Sequence, residues 1–319
     1  MIHCLPIPTP FRVGRVNCYL IDDDPLTLVD VGPNSALSLV ALEAALAEHG
    51  RKAEDLERIV ITHQHADHLG LVGILAAKSG AEVCALDELK PIVEDFSAYA
   101  ERNDRFAQKQ LRRHGVRDDI VQVLGAMSRA HRAWGGSAPV AHTLRAGGEL
   151  ASAKRTFQVL HRPGHSPTDT VFFDPEDGTL LAGDHLIGHI SSNPLLALPT
   201  SGDTQTRPQT LRIYIDSLKL TRDMPVTTVL PGHGISFDGH RQLIDDRLEM
   251  HERRAAKLLG LIQAQPRSAH ALAHAMWGTT ATTQALLTLS EVLGHVDLLL
   301  NRGQVAEHEQ DGVVTFEAA

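Results

Sequence analysis

The chain has 319 residues and a formal net charge of −9 at pH 7, with 43% hydrophobic and 22% charged residues. This length and composition predict an ordinary globular protein with room for one large domain and a smaller one. The acidic balance argues against a general binder of nucleic acids or other polyanions. The three cysteines, Cys4, Cys18 and Cys84, are scattered without Cys-x-x-Cys spacing, so they predict neither a disulfide framework nor a thiolate metal site.

The N-terminus and the apolar runs bear on where the protein works. Residues 1–6 lack the charged and apolar regions of a signal peptide. No apolar run reaches the length needed to span a membrane. We therefore expect a cytoplasmic protein with reduced thiols and no membrane association.

Strands and helices alternate through the first part of the chain, and turn residues such as those at 22–25 separate them. Alternation of this kind predicts an α/β layered fold. In chain order the predicted elements are strands 16–21 and 26–30, a helix carrying Leu39, Leu42 and Leu46 that is capped by Asn34 or Ser35 and ends at Gly50, strand 58–61, a helix over 71–79 and strand 82–86.

Residues 90–145 interrupt this alternation with a polar, helical pattern that predicts an inserted helical segment. Arg102, Arg105, Lys109 and Arg112 fall on one face of a helix at the observed spacing. One interpretation is a solvated face balanced by neighbouring acidic residues. The other is an electropositive lid that receives an anionic substrate, such as a phosphate or a carboxylate.

The stretch Ile61–Gly70 follows strand 58–61 and is the most informative in the chain. It places His63, His65, Asp67 and His68 within six residues. Imidazole nitrogens and carboxylate oxygens are ligands that zinc and other first-row metals take in catalytic sites. The spacing therefore predicts a metal site rather than a solvated histidine-rich loop.

Strands return after the insertion, and three of them end in a further metal-type side chain. Strands 156–160, 179–182 and 226–230 are followed, close to a glycine, by His165, Asp184 and His233 respectively. Glycine lets the backbone turn tightly and approach an ion closely. Any one of these side chains alone would not indicate a site, but three such strand ends predict one assembled centre.

Residues 240–319 predict a small separate module. Helices are expected at 240–263, at 269–277 and over Leu286–Leu300, followed by a hairpin around Asp311-Gly312. Three helices and a hairpin are typical of a winged-helix-like module, which can bind DNA or serve packing or dimerisation. Phosphate contacts supply most non-specific DNA affinity. The third helix carries Glu291 and Asp297 and little basic charge, so packing is favoured.

Together these motifs resemble the metallo-β-lactamase-fold hydrolases over roughly the first 235 residues, apart from the helical insertion. The resemblance implies an α/β fold of the αβ/βα sandwich type, with metals at one edge. It implies a catalytic domain at 1–239, with the insertion at about 90–145, and a winged-helix-like C-terminal domain at 240–319. Asp30 matches the aspartate that braces the metal loop in this family. By motif, the implied ligands are His63, His65 and His165 for one metal, Asp67, His68 and His233 for a second, and Asp184 as the bridge between them.

Within the family, Asp184 and the intact Asp67-His68 pair resemble the dinuclear sites of glyoxalase II and lactonases. Gly183-Asp184-His185 followed by Asn193-Pro194 resembles the LACTB-like hydrolases. The implied cofactors are two divalent ions per chain, with zinc expected and iron or manganese as alternatives. The implied reaction is attack of a metal-bridging hydroxide on an ester, thioester or lactone carbonyl, with Asp67 and Asp184 as candidate catalytic residues.

Other reactions stay open at this point. A metal-dependent endoribonuclease or phosphodiesterase is supported by the basic insertion and opposed by the overall acidity. An iron-dependent redox member would need an altered second-metal set, and a binding-only relative would have lost ligands. The chain has no Gly-x-Ser-x-Gly elbow, so a serine nucleophile is not indicated. We expect a small acyl substrate with an anionic handle and no nucleic acid partner, and a homodimer stays open.

Overall fold

A computed structural model of the protein describes residues 1–199 and 206–319. The contacts within it divide the chain into two compact units. Each unit is assembled from three separate stretches of sequence. Unit 1 consists of residues 1–100, 131–192 and 224–240, and unit 2 of residues 101–130, 193–223 and 241–319.

Unit 1 contains two sheets. In spatial order the strands of the first sheet are β1 (Ile2–Ile7), β2 (Val16–Ile21), β3 (Thr27–Val29), β4 (Arg58–Val60), β5 (Glu82–Leu86) and β6 (His142–Leu144). The β1–β2 and β2–β3 pairs are antiparallel, and β3 to β6 run parallel to one another. The second sheet has the order β11-β10-β9-β8-β7, with β7 (Glu149–Ala151), β8 (Thr156–His161), β9 (Thr170–Asp174), β10 (Thr179–Gly183) and β11 (Thr228–Pro231).

The two sheets share one apolar core. Leu20 and Ile59 of the first sheet lie in the same buried cluster as Phe172 and Leu181 of the second. Helices cover the first sheet, as expected when parallel strands are joined by helical crossovers. This arrangement confirms the predicted α/β sandwich of the metallo-β-lactamase type. The helices of unit 1 are α1 (Ala36–Glu48), α2 (Ala66–Leu69), α3 (Val72–Ser79) and α4 (Lys90–Glu94).

Helix α1 begins and ends where its sequence signals predict. The Ser35 hydroxyl accepts a hydrogen bond from the backbone N–H of Ser38, which satisfies one of the otherwise unpaired donors of the first turn. Gly50 follows the helix with a φ of 70°, in the left-handed region that ends many helices. Leu42 and Leu46 lie on the buried face of this helix.

Unit 2 is mostly helical and has its own core. Phe106, Leu111 and Val121 of the inserted segment pack in one buried cluster with Leu293 and Phe316 from the C-terminal part of the chain. The helices are α5 (Phe96–Arg113), α6 (Asp118–His131), α7 (Thr210–Arg222), α8 (His240–Ala264), α9 (Ala269–Trp277), α10 (Thr280–Thr283) and α11 (Ala285–Asn301). A small sheet has the order β12-β14-β13, with β12 (Arg267–Ser268), β13 (Val305–Gln310) and β14 (Val313–Ala318).

These units do not follow a single cut at residue 239. The inserted helices and residues 193–223 group with the C-terminal part of the chain. The division into a catalytic domain at 1–239 and a C-terminal domain at 240–319 stays a prediction. Among the residues that the structure describes, no helix is long and apolar enough to cross a membrane.

The basic face of α5 is exposed along its length, as Arg102, Arg105, Lys109 and Arg112 all lie at the surface. Arg105 pairs with Glu101 at 2.7 Å, and Arg112 pairs with Asp118 at 2.7 Å. Exposed pairs of this kind are typical of a solvated face and add little stability. A role for this face in substrate binding stays a prediction.

Candidate metal centre

The metal-type residues of unit 1 follow the C-terminal ends of its strands. His63 and His65 lie in the turn after β4, and α2 then presents Asp67 and His68. Strands β8, β10 and β11 end just before His165, Asp184 and His233. Rigid strand ends therefore position each side chain, and the connecting turns aim it at one edge of the sandwich.

Four of these side chains form a first cluster. A ligand atom from each of His63, His65, His165 and Asp184 lies within 4.8 Å of the others. The Nδ1 atom of His65 is 3.0 Å from Nε2 of His63 and 2.9 Å from Nε2 of His165. Ligand nitrogens around a tetrahedral zinc ion lie about 3.3 Å apart, given Zn–N bonds of about 2.0–2.1 Å. The three imidazoles are therefore spaced as ligands of one ion.

Asp67, His68 and His233 form a second cluster, and Asp184 lies between the two. Its Oδ1 is 3.4 Å from Nε2 of His68. Its Oδ2 is 3.5 Å from Nε2 of His233 and 3.5 Å from Nε2 of His165. The structure thus brings all seven predicted ligands together, with Asp184 close to histidines of both clusters. A bridging role for Asp184 stays a prediction.

The donor atoms at the centre fit divalent metal ions. Nε2 of His68, Nε2 of His233 and Oδ1 of Asp184 are buried without a hydrogen-bond partner among the described residues. An unsatisfied buried polar atom costs about 1–3 kcal/mol. Three such atoms beside one another indicate that a bound group completes them, and imidazole and carboxylate are the donors that zinc and similar metals take.

The electrostatics of the two clusters differ. Burial and the neighbouring histidines lower the pKa of His63 well below its usual range. Burial and His165 lower the pKa of His65 to about 3. Both side chains are therefore neutral imidazoles at pH 7, which is the form that binds metals.

In the second cluster the carboxylates outweigh burial. Burial alone would lower the pKa of His233, but Asp184 and Asp67 raise it to about 10. Burial likewise opposes ionisation of Asp184, yet His233 and His68 hold its pKa well below the usual range. Protonated histidines thus balance the aspartates in the metal-free protein, and metal binding would displace those protons.

Asp30 braces the centre from outside the ligand set, as the family resemblance implies. Its Oδ1 accepts a hydrogen bond from the backbone N–H of Thr62 at 2.9 Å. Its Oδ2 accepts from the Thr62 hydroxyl at 2.8 Å and lies 2.7 Å from Nδ1 of His68. His68 therefore turns its other nitrogen, Nε2, toward the clusters. Asp30 itself has a φ of 58°, a left-handed conformation that aspartate tolerates better than most residues.

Removing this brace should loosen metal binding without removing a ligand. We expect Asp30→Ala to weaken metal retention about 10–100-fold, because partners of this kind orient metal-binding histidines. Metal content after dialysis, together with activity, measures the effect. Asp216→Ala, at an exposed position on α7, is the neutral control for Asp30→Ala. His63→Ala, which removes a predicted ligand, should abolish activity altogether. Metal retention in Asp30→Ala equal to that of Asp216→Ala would contradict the bracing role.

A second brace holds His233, and sequence analysis missed it. The Asn17 side chain on β2 donates to the carbonyl oxygens of Pro231 at 2.9 Å and Gly234 at 2.8 Å. The Tyr19 hydroxyl donates to the same Pro231 carbonyl at 2.7 Å. Nδ1 of His233 is 2.7 Å from the carbonyl oxygen of Arg15. The only signal in the sequence is a pair of polar groups within an otherwise apolar strand.

A third set of contacts ties the His65 loop to the His165 loop. The Gln64 side-chain oxygen accepts hydrogen bonds from the hydroxyls of Ser166, at 2.6 Å, and Thr168. Asp169 accepts from the backbone N–H of Ser166 at 2.8 Å. All four side chains are buried. Their hydrogen bonds fix the two loops that supply the first cluster.

The structure explains why a glycine, Gly232, precedes His233. A Cβ atom at this position would lie 2.2 Å from Oδ1 of Asp184 and 2.9 Å from Cε1 of His68. Neither approach is compatible with a side chain. The close approach inferred from the glycine pattern is therefore present at this strand end.

Two histidine–aspartate clusters suited to metal ions thus lie at one edge of an α/β sandwich, an arrangement typical of metallo-hydrolases. The sequence model of the metallo-beta-lactamase superfamily matches residues 11–233. The chain belongs to this superfamily.

The similarity to known proteins extends beyond the family model, over nearly the whole chain. The Bacillus subtilis (strain 168) protein described as probable metallo-hydrolase YqjP is 31% identical over 316 residues, 99% of this chain and 97% of that protein. The beta-lactamase-like protein 2 homolog of Caenorhabditis elegans is 24% identical over 258 residues, 80% of this chain and 68% of that protein. The crystal structure of a metallo-beta-lactamase family protein from Thermus thermophilus matches with a TM-score of 0.82 and 27% identity, covering 100% of this chain and 98% of that one.

Proposed function

We propose that the protein is a hydrolase with a dinuclear metal centre that acts on an ester, thioester or lactone carbonyl. The observation that carries the proposal is Asp184, whose two carboxylate oxygens lie within 3.5 Å of histidines from both clusters. A carboxylate in that position can bind two ions at once. Two-metal sites of this kind are typical of hydrolytic enzymes.

When bound, the two ions would polarise the substrate carbonyl and make a water molecule acidic enough to attack at neutral pH. His63, His65 and His165 would hold one ion, and Asp67, His68 and His233 the other. Asp67 and Asp184 are the proposed catalytic residues. Burial opposes their ionisation, but His68 and His233 keep the pKa of both carboxyls low. Both are therefore ionised at pH 7 and can accept a proton or hydrogen bond from the attacking water.

Zinc is the proposed metal, because neutral imidazoles and carboxylates are its usual ligands in catalytic sites, and iron or manganese would suit the same donors.

The likeness to the beta-lactamase-like protein 2 homolog supports assignment to the LACTB-like branch. The helices α8, α9 and α11 with the β13–β14 hairpin support a winged-helix-like module. The proposed substrate is a small acyl compound with an anionic group rather than a nucleic acid, because the chain is acidic overall.

A direct test combines metal analysis with a substrate screen. Purified protein should hold at least two metal ions per chain, and the double variant His63→Ala/His68→Ala should lose two. Turnover of acyl thioesters, aryl esters and lactones should exceed that of bis(p-nitrophenyl) phosphate and RNA. Asp216→Ala serves as the control for protein quality.

Two outcomes would overturn the proposal. Full carbonyl hydrolysis by metal-free protein or by the double variant would exclude the metal mechanism. Faster cleavage of the phosphodiester or of RNA would instead assign the centre to the phosphodiesterase or endoribonuclease alternative.

A further inference from the structure

A further cluster of metal-type side chains lies within unit 2. His251 is on α8, and Glu291 and His295 are one helical turn apart on α11. Both histidines are only 1% exposed, and Glu291 is 7% exposed. A ligand atom from each residue lies within 4.8 Å of the other two. Residues at positions i and i+4 share one helix face, so α11 presents two donors together toward His251.

The two imidazoles are arranged as ligands of one ion. Nδ1 of His251 is 3.1 Å from Nε2 of His295, close to the 2.9–3.0 Å between facing histidine nitrogens in the centre of unit 1. Nδ1 of His295 donates to the carbonyl oxygen of Glu291 at 2.7 Å. That bond leaves Nε2 of His295 with a lone pair turned toward His251, and a backbone contact of this kind commonly orients metal-binding histidines.

His251 has one nitrogen in contact with His295 and one without a partner. Its Nε2 atom is buried and makes no hydrogen bond to the described residues. Burial and His295 lower the pKa of His251 to about 3, so the ring is neutral. Its single hydrogen can reside on Nε2, which leaves Nδ1 free to bind a metal together with Nε2 of His295.

Glu291 supplies the negative charge of the cluster, and an arginine competes for it. Nη1 of Arg254 donates to Oε1 of Glu291. Arg254 and Arg247 both lie close enough to His251 to lower its pKa. These cations oppose a divalent ion, so the affinity of the cluster for metal depends on how firmly Arg254 holds the carboxylate.

We propose that His251, Glu291 and His295 form a third metal site, specific for a zinc-like divalent ion and separate from the hydrolytic centre. Two imidazoles and one carboxylate match the donors that zinc takes, with water as the remaining ligand. The ion would link α8 to α11 inside unit 2. Its role is structural, because the three donors are enclosed by protein.

The test is a zinc titration of the metal-free, full-length protein followed by metal analysis. The wild type should bind three ions per chain. His251→Gln/His295→Gln should bind two and keep its hydrolytic activity, which also reports that it is folded. His63→Ala/His68→Ala should bind one, so a failure of this site and a failure of the hydrolytic centre give different stoichiometries.

Arg254 provides a second, independent arm that leaves all three ligands in place. Arg254→Gln should tighten zinc binding at the third site about tenfold, because it removes the competitor for Glu291. The matched control is Arg253→Gln on the same helix, where the arginine pairs with exposed Glu249 at 2.6 Å. A wild type that saturates at two ions, or an Arg254→Gln variant that binds zinc no more tightly than Arg253→Gln, would overturn the proposal.

Discussion

Asp184→Asn is expected to lower kcat by about 10³-fold, equivalent to about 4 kcal/mol of transition-state stabilisation, while KM changes little. The asparagine side chain has only one acceptor oxygen, so it can bind a metal ion at one cluster but not at both. The loss therefore falls on the chemical step rather than on substrate binding. Steady-state kinetics on the best carbonyl substrate, with metal content measured in parallel, gives both parameters.

The control for this variant is Asp177→Asn, at the opposite end of β10, where the carboxylate pairs with Arg155 at 2.9 Å. It makes the same chemical change in the turn that precedes the same strand, away from the clusters. Asp184 would belong to the substrate pocket instead of the bridge if KM rose and kcat stayed constant.

Gly70→Ala should lower the free energy of unfolding by about 3 kcal/mol or more. A Cβ atom there would lie 2.2 Å from the backbone nitrogen of Asn34 and 2.3 Å from the carbonyl oxygen of Trp134, atoms that hydrogen-bond to each other. Backbone on both sides cannot move aside as a flexible side chain would. A fall of roughly 6–12 °C in Tm is expected for a protein of this size.

Gly260→Ala is the matched control for this prediction. Gly260 lies within α8, and a Cβ atom added there meets nothing within 4 Å. Alanine in a helix interior should leave stability unchanged or raise it by about 0.5–1 kcal/mol. Equal Tm values for the two variants would show that the loop around Gly70 adapts to a side chain.

The elements predicted from sequence are those with a strong local signal. Local sequence pattern is enough to indicate a strand or a helix in these elements. They are the apolar runs of β2, β4, β8 and β10 and the helices with regularly spaced leucines, α1 and α11. The strands that were missed carry little such signal. Strands β6 and β7 have three residues each and are partly exposed, and β1 contains Pro6 and pairs along only one side. Pairing in these strands depends on neighbours distant in the chain.

The residues of the site also divide into those with a local sequence signal and those without one. The seven predicted ligands each follow a strand and lie close to a glycine or within the histidine motif, so their arrangement has a local pattern. Asn17 and Gln64 act through partners more than a hundred residues away along the chain, which no local pattern reveals.

The burial of two acidic residues of α11 also has no local sequence signal. From the sequence, Glu291 and Asp297 indicate only that the third C-terminal helix carries acidic charge, which disfavours DNA binding. In the structure both are buried, and they pair with Arg254 and Arg207 respectively. Acidic residues on a helix are usually exposed, and in these two the paired arginine offsets part of the cost of burying the carboxylate.

The alternation of chain segments between the two compact units has a consequence for biosynthesis. Residues 101–130 leave the ribosome well before residues 241–319, which complete the core of unit 2. Until then Phe106, Leu111 and Val121 have no complete core to enter, and nascent chains with such apolar surface tend to aggregate. A fragment ending at residue 240 is therefore expected to accumulate in inclusion bodies, and co-expression of the missing C-terminal segment should restore its yield.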